Sequence, residues 1–140
     1  MKNILMSIKP KWCELIFSGQ KMDEIRRTKP NGPPGETYTV YVWQTGGGGV
    51  IGRFTVREFT FIQAWKDSVD GTKHLGNTIF LQSCLSDEEL FNYVWREEKA
   101  GKPYPGGWAW RIENTEKFDY PRGLAEFGLK RPPQSWQYIY

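Results

Sequence analysis

Apolar and polar residues alternate loosely over residues 1–8, and this period of two predicts a short opening strand. The next stretch, "KPKWCELIFSG", changes to a helical period. Trp12, Leu15 and Ile16 share a face, Pro10 fits the first turn, and Gly19 is placed to end the helix. "MDEIRRT" then reads as a short extended segment. Strand side chains alternate, so Ile25 points inward and Glu24 and Arg26 point to the other side. "PNGPPGE" is a turn by composition. "TYTVYVWQT" sets Tyr38, Val40 and Val42 against Thr37, Thr39, Tyr41 and Trp43, a strand with two populated faces. The glycines at 46–49 form a flexible connection to "VIGRFTVREFTFI", which reads as one further strand with Gly52 as a bulge.

From residue 65 to residue 81 the pattern weakens, which predicts loops with a short helical piece. The clearest helix start follows. "SDEE" forms a capping box of Ser86 with Glu89, and Leu90, Phe91, Val94 and Trp95 make the buried stripe before Gly101 stops it. "KPYPGG" is a loop, "WAWRIENTEKF" another strand, and "SWQYIY" the last one. Strands with interspersed short helices predict an α+β fold, a small closed or nearly closed β-barrel. The 140 residues fit one domain spanning 1–140.

Composition adds three things to this picture. Aromatic residues reach 16% with seven Trp, more flat surface than a core of this size needs for packing alone. The net charge of +3 identifies no partner by itself, but its distribution is uneven. Seven Lys/Arg stand against three acids between Met1 and Asn31, which favours a local anionic partner. Cys13 and Cys84 make no disulfide framework, and no leader and no apolar run near ~20 residues is present. A cytoplasmic, reducing compartment is therefore expected, with no membrane contact. His74 is the single histidine, so no metal, zinc or His-based catalytic site is expected. The glycine run is no phosphate loop, because a strand rather than Lys-Ser/Thr and a helix follows it.

The candidate chemistry lies near the amino end. Lys21 and Arg26 are suited to converge on a phosphate or a base carbonyl, and Glu24 to orient the lysine or accept from an exocyclic amine. Lys9 and Lys11 flank Pro10 at a helix amino end, where exposed N–H groups and added positive charge favour an anion. Trp43, at a strand end, and Trp136, after Gln134 and Ser135, are the candidate stacking platforms. Trp12, on the Leu15/Ile16 face, reads as core, and Trp108, Trp110 and Tyr138 as packing. No spacing brings Glu113 or Glu116 to Glu24, which argues against a paired-carboxylate hydrolase.

"SIKPKWCELIFSGQKMDEIRRTKP" resembles the signature of the activating signal cointegrator homology (ASCH) domain, of the PUA-like group. The matching features are the apolar helix stripe, then Gly19-x-Lys21, then Glu24 and Arg26 on a basic strand. "GGWAWRIENTEKFDYPRGLAEFGLKRPPQSWQYI" is similar to the ending of the short stand-alone proteins of this kind from bacteria and phages. The resemblance implies a β-barrel of about five to six strands with short helices covering its openings, and a cleft beside the first helix. It also implies recognition of RNA or of a modified nucleoside or nucleotide, with no cofactor. The expected contacts are Lys9, Lys21, Glu24, Arg26, Trp43, Gln134, Ser135 and Trp136.

The alternative that the resemblance carries is a metal-independent hydrolase, either an amidohydrolase on N4-acylcytidine or a ribonuclease. Its catalytic candidates are Lys21 and Glu24. In the amidohydrolases the lysine works with a threonine three positions later and a glutamate further on. Glu24 stands at the threonine position here, and a carboxylate acceptor would change the intermediate to an anhydride, so that mechanism does not transfer as it stands.

Overall fold

The structure is a computed structural model, and it describes residues 2–95 and 106–140. Nine strands form its framework: β1 (Lys2–Ile8), β2 (Asp23–Arg26), β3 (Tyr38–Gln44), β4 (Gly49–Val56), β5 (Phe59–Lys66), β6 (Lys73–Gly76), β7 (Gly106–Arg111), β8 (Glu113–Arg122) and β9 (Trp136–Ile139). Two helices, α1 (Pro10–Phe17) and α2 (Asp87–Val94), and a short 3-10 turn at Leu124–Phe127 complete the described elements.

The strands form two sheets, one of five in the order β8-β4-β3-β1-β9 and one of four in the order β2-β7-β5-β6. β1 and β3 run parallel, joined through α1 and β2, and the other pairs are antiparallel. This corrects the expected barrel: among the described residues the strands divide between two sheets and do not close into one ring of five or six.

The division follows from strand alternation. Ile4, Met6 and Ile8 of β1 and Val40 and Val42 of β3 join Cys13 and Ile16 of α1 and Trp110 of β7 in the core between the sheets. Ile25, Ile62, Ala64 and Ala109 point the other way from the four-stranded sheet and pack against Leu90, Phe91 and Val94 of α2. Leu5, Val50 and Ile139 form a third cluster on the outer face of the five-stranded sheet, covered by Leu124 and Phe127.

Two single strands of the sequence reading are each two strands here. The stretch from Val50 onward breaks at the exposed pair Arg57-Glu58, where the chain leaves one sheet for the other. The stretch from Trp108 breaks at Ile112, whose N–H donates to the Met22 carbonyl at 2.9 Å instead of continuing a ladder. Each break keeps an apolar residue facing the inter-sheet core, so alternation alone could not reveal it.

Residues 65–81 hold no helical piece. β5 runs on to Lys66 and pairs with β6, with Trp65 opposite His74. Asp67 accepts from the Val69 and Asp70 N–H groups at 2.8 and 3.2 Å, and Gly71 takes φ 74°, so the turn chemistry is that of a hairpin. The glycines after Gln44 are likewise a tight hairpin turn, with Gly46, Gly47 and Gly49 at φ near +83°. Ser86 and Glu89 make the expected capping box. The expected stop at Gly101 and most of the "KPYPGG" loop lie outside the described residues.

Gly52, expected as the bulge, adjoins it: Val42 faces Gly52 but Trp43 faces Val50, which leaves Ile51 as the extra residue. Gly52 is also a point of close approach: a Cβ there would lie 2.5 Å from the Glu116 carbonyl and 2.6 Å from the Phe17 ring. Replacing Gly52 by Ala must therefore separate α1, β4 and β8, and we expect a loss of about 1–3 kcal/mol in urea denaturation.

Candidate functional site

A cleft of about 570 Å³ opens between the start of α1, β2 and α2. Gly19 places its floor. It ends α1 in a left-handed conformation (φ 84°), after which the Lys21 N–H donates to the Leu15 carbonyl at 2.9 Å. Lys21 therefore turns back beneath the helix instead of pointing into water, and it is 2% exposed. β2 follows at once. Ile25 enters the α2 core, and by alternation Glu24 and Arg26 point into the space between the sheets, both buried.

These three charges form one network. Glu24 Oε2 accepts from Arg26 Nη2 at 2.6 Å and Nε at 2.9 Å. Glu24 Oε1 faces Lys21 Nζ at 3.6 Å. The guanidinium also donates to the Ser7 carbonyl at 2.8 Å and to Ser135 Oγ at 3.2 Å. Lys21 Nζ donates to the Ser83 carbonyl and lies 4.8 Å from the centre of the Trp12 ring. A carboxylate held between two cations leaves the floor one positive charge in excess, in a place where water screens it poorly.

Lys9, Trp12, Tyr93, Asn92 and Gln134 line the walls and rim above that floor. Of the residues expected at the site, the structure brings together Lys9, Lys21, Glu24, Arg26 and Gln134, and sets Ser135 behind Arg26 as a hydrogen-bond partner. It does not bring the two expected tryptophans. Trp43 packs on the outer cluster with Leu5 and Val50, because it alternates with Val42 and so faces away from the core. Trp136 is half-buried against the inter-sheet core, edge-on to Trp110, with its N–H donating to Thr28 Oγ1 at 3.0 Å.

The indole in the cleft is Trp12. It packs on the inter-sheet core as its helical face required, and it also lines the opening with Lys11 4.5 Å from its ring centre. The signal for it was its place in the first turn of α1, directly after Lys9-Pro10-Lys11. Tyr93 and Asn92 carried no such signal, since their side of the cleft depends on how α2 docks.

Burial pushes the Lys21 ammonium below its ordinary 10.5, with the Glu24 carboxylate opposing. Burial, reinforced by Glu24, pushes the Cys13 thiol up to about 12, so that thiol is an inert part of the inter-sheet core. The folded chain thus holds the Lys21 proton less tightly than the unfolded chain does. Stability accordingly rises with pH between the lowered value and 10.5, and is flat below both. A titration of Lys21 Nζ by nitrogen-detected NMR is expected to give a midpoint below 10.5, and the rise in stability should be absent from Lys21→Arg. Removing the central carboxylate with Glu24→Ala leaves two buried cations unpaired and is expected to cost about 3–5 kcal/mol in urea denaturation.

Comparison with known proteins places this geometry. No curated protein matches the chain in sequence. Among solved structures, ASCH from Zymomonas mobilis aligns with TM-score 0.69 at 19% identity, covering 99% of this chain and 88% of that one. A serine-to-alanine mutant of the Zymomonas mobilis protein aligns with TM-score 0.69 at 18% identity, covering 99% of this chain and 89% of that one. Its tyrosine-to-phenylalanine mutant gives 0.68 at 19%, covering 100% and 91%. At such identity the likeness speaks for the fold, a PUA-like β fold. The family model described as ASCH domain matches residues 6–122, which include the end of β1, α1, β2 and the Lys21, Glu24 and Arg26 of the cleft floor. The chain belongs to the ASCH domain family.

Proposed function

We propose that the cleft holds an unpaired base of single-stranded RNA, or the base of a modified nucleotide. The observation that carries this reading is the convergence of Lys9, Lys21, Arg26 and the Trp12 ring on one opening. Membership in a family often linked to RNA binding supports it. Unstacked bases are commonly held by an aromatic face together with cations and hydrogen-bonding groups.

The division of labour follows from which groups are already occupied. Arg26 spends its donors on Glu24, Ser7 and Ser135, and Lys21 on Ser83 and Glu24, so both position the floor. Among the described residues, Glu24 Oε1 meets only the longer Lys21 contact and keeps acceptor capacity for an exocyclic amine. Lys9 is exposed at the rim and takes phosphate. Trp12 and Tyr93 offer faces to a base, and the side-chain amides of Asn92 and Gln134 have no partner among the described residues and read its edge.

Binding is favoured over turnover because the lysine that the hydrolases use is engaged by a carbonyl and a carboxylate. The position three residues on offers no hydroxyl for an acyl group. Two changes test the reading with single-stranded RNA. Lys9→Ala is expected to reduce the slope of log affinity against log salt by about one. Trp12→Leu is expected to weaken binding by about 1–3 kcal/mol, with the fold checked by circular dichroism. Acylcytidine and RNA should both be recovered unchanged, with or without EDTA. Affinity unmoved by either substitution, or turnover with EDTA present, would overturn the proposal.

A further inference from the structure

We infer that an RNA strand held in the cleft continues along the residues after β2 and places a second base in a separate hollow beyond Lys29. The inference rests on the binding reading above and adds the substrate class: a strand of several nucleotides, not a free nucleotide. The second hollow, about 480 Å³, lies between the proline-rich turn before β3 and the crossing from β4 to β5, with Tyr38 and Phe59 among its walls. Lys29 lies three residues beyond Arg26, so at most ~10 Å of extended chain separates the cleft floor from the lip of the hollow. At roughly 3.4 Å per stacked nucleotide, about three nucleotides cover that path.

The path itself is built to face a ligand. Thr28 is pinned at its middle by two indoles, Trp110 donating to its carbonyl at 3.1 Å and Trp136 to its hydroxyl at 3.0 Å. The residues on either side of Thr28 carry cations laid over rings. Arg27 lies 5.3 Å from the centre of the Tyr93 ring, and Lys29 lies 5.0 Å from that of Trp108. Arg27 is exposed and, among the described residues, spends only its Nε–H, on the Tyr93 carbonyl at 3.1 Å. Four of its five N–H donors are left for phosphate oxygens.

The charges in the hollow say which part of a nucleotide enters it. Glu36 and Glu58 line it together with Lys29 and Arg57. Two carboxylates disfavour a phosphate inside and accept from base amines, whereas Arg27 and Lys29 on the path take the backbone. Arg57 stands at the far lip, its side chain 60% exposed and paired with Glu113 at 3.5 Å, a contact weak enough to exchange for a phosphate. The wall is rigid. Pro30, Pro33 and Pro34 fix the turn, and a Cβ at Gly32 would collide with the Tyr38 hydroxyl.

The experiment compares a mononucleotide with a hexanucleotide of single-stranded RNA on the full chain, by calorimetry and fluorescence anisotropy. The hexanucleotide is expected to bind at least ten-fold more tightly. Arg27→Gln and Arg57→Gln should each weaken the hexanucleotide at least three-fold and leave the mononucleotide unchanged, with circular dichroism confirming the fold. Equal affinity for the two lengths, or hexanucleotide binding unmoved by both substitutions, removes the strand path while the cleft reading stands. Failure of both ligands to bind removes the cleft reading and this inference with it.

Discussion

A carboxylate buried between two cations fixes the geometry of this protein's cleft. Glu24 is 4% exposed, and an ion so far from water is tolerated only where opposite charge and hydrogen bonds replace its hydration. Those partners come from separated parts of the chain. Lys21 arrives from the turn after α1 and brings the carbonyl of Ser83, from the segment leading to α2. Arg26 brings the end of β1 through the Ser7 carbonyl and the approach to β9 through Ser135. Satisfying one acidic group therefore joins β1, β2, the α1 turn and both flanking segments. The apolar cores on either side hold sheets and helices together without specifying this register. The charged trio specifies it, because a shift of one residue in β2 would turn Glu24 and Arg26 into the α2 core and Ile25 toward the polar floor.

The same network determines which groups meet a ligand. Residues that look like ligand contacts in the sequence, Lys21 and Arg26 above all, are largely consumed in holding the floor. Their contribution outward is the unscreened excess of one positive charge. On the proposed reading, direct contact falls to the residues that line the opening above that floor: Lys9, Trp12, Tyr93, Asn92 and Gln134. The amino-terminal charge excess is in part internal structure, and a count of basic residues would overstate the binding surface. Much of that excess is laid on rings, with Lys2 over Tyr138, Lys11 and Lys21 over Trp12, Arg27 over Tyr93 and Lys29 over Trp108. This pairing puts the high aromatic content to use beyond the core.

The elements with local causes were legible in the sequence. α1 with its Gly19 stop, the capping box at Ser86, the bulge beside Gly52 and the opening and closing strands each follow from residues within a few positions of one another. The convergence of Lys21, Glu24 and Arg26 was legible as well, since a helix end and a strand period set all three within six residues. The two strand breaks, at Arg57-Glu58 and at Ile112, were not legible. Whether a long alternating run stays in one sheet depends on where the partner strands end, and that is a property of the assembled fold. The identity of the indole failed for a related reason. Trp43 and Trp136 looked free because polar residues or glycines stand close by in sequence, but one packs on the outer cluster with Leu5 and Val50 and the other leans on Trp110. Trp12 looked buried because its helical face is apolar, and a ring is large enough to fill a core with one edge and a cleft with the other.

That double use of Trp12 bears on how selectivity can arise. Its ring is packed against the inter-sheet core, so its orientation is set before a ligand arrives. Glu24 is equally fixed by its two cations. The floor and one wall are therefore set by folding, and their cost is met before any ligand arrives. Any change there alters stability first. The rim differs in kind: Lys9, Asn92 and Gln134 are exposed and carry no packing duty. Substitution at the rim alters what is bound while leaving the fold intact. On the proposed reading, a rigid polar floor under an interchangeable rim lets one scaffold serve different bases, and in this chain the rim includes the Lys9 ammonium, the Asn92 and Gln134 amides and the Glu89 carboxylate that caps α2.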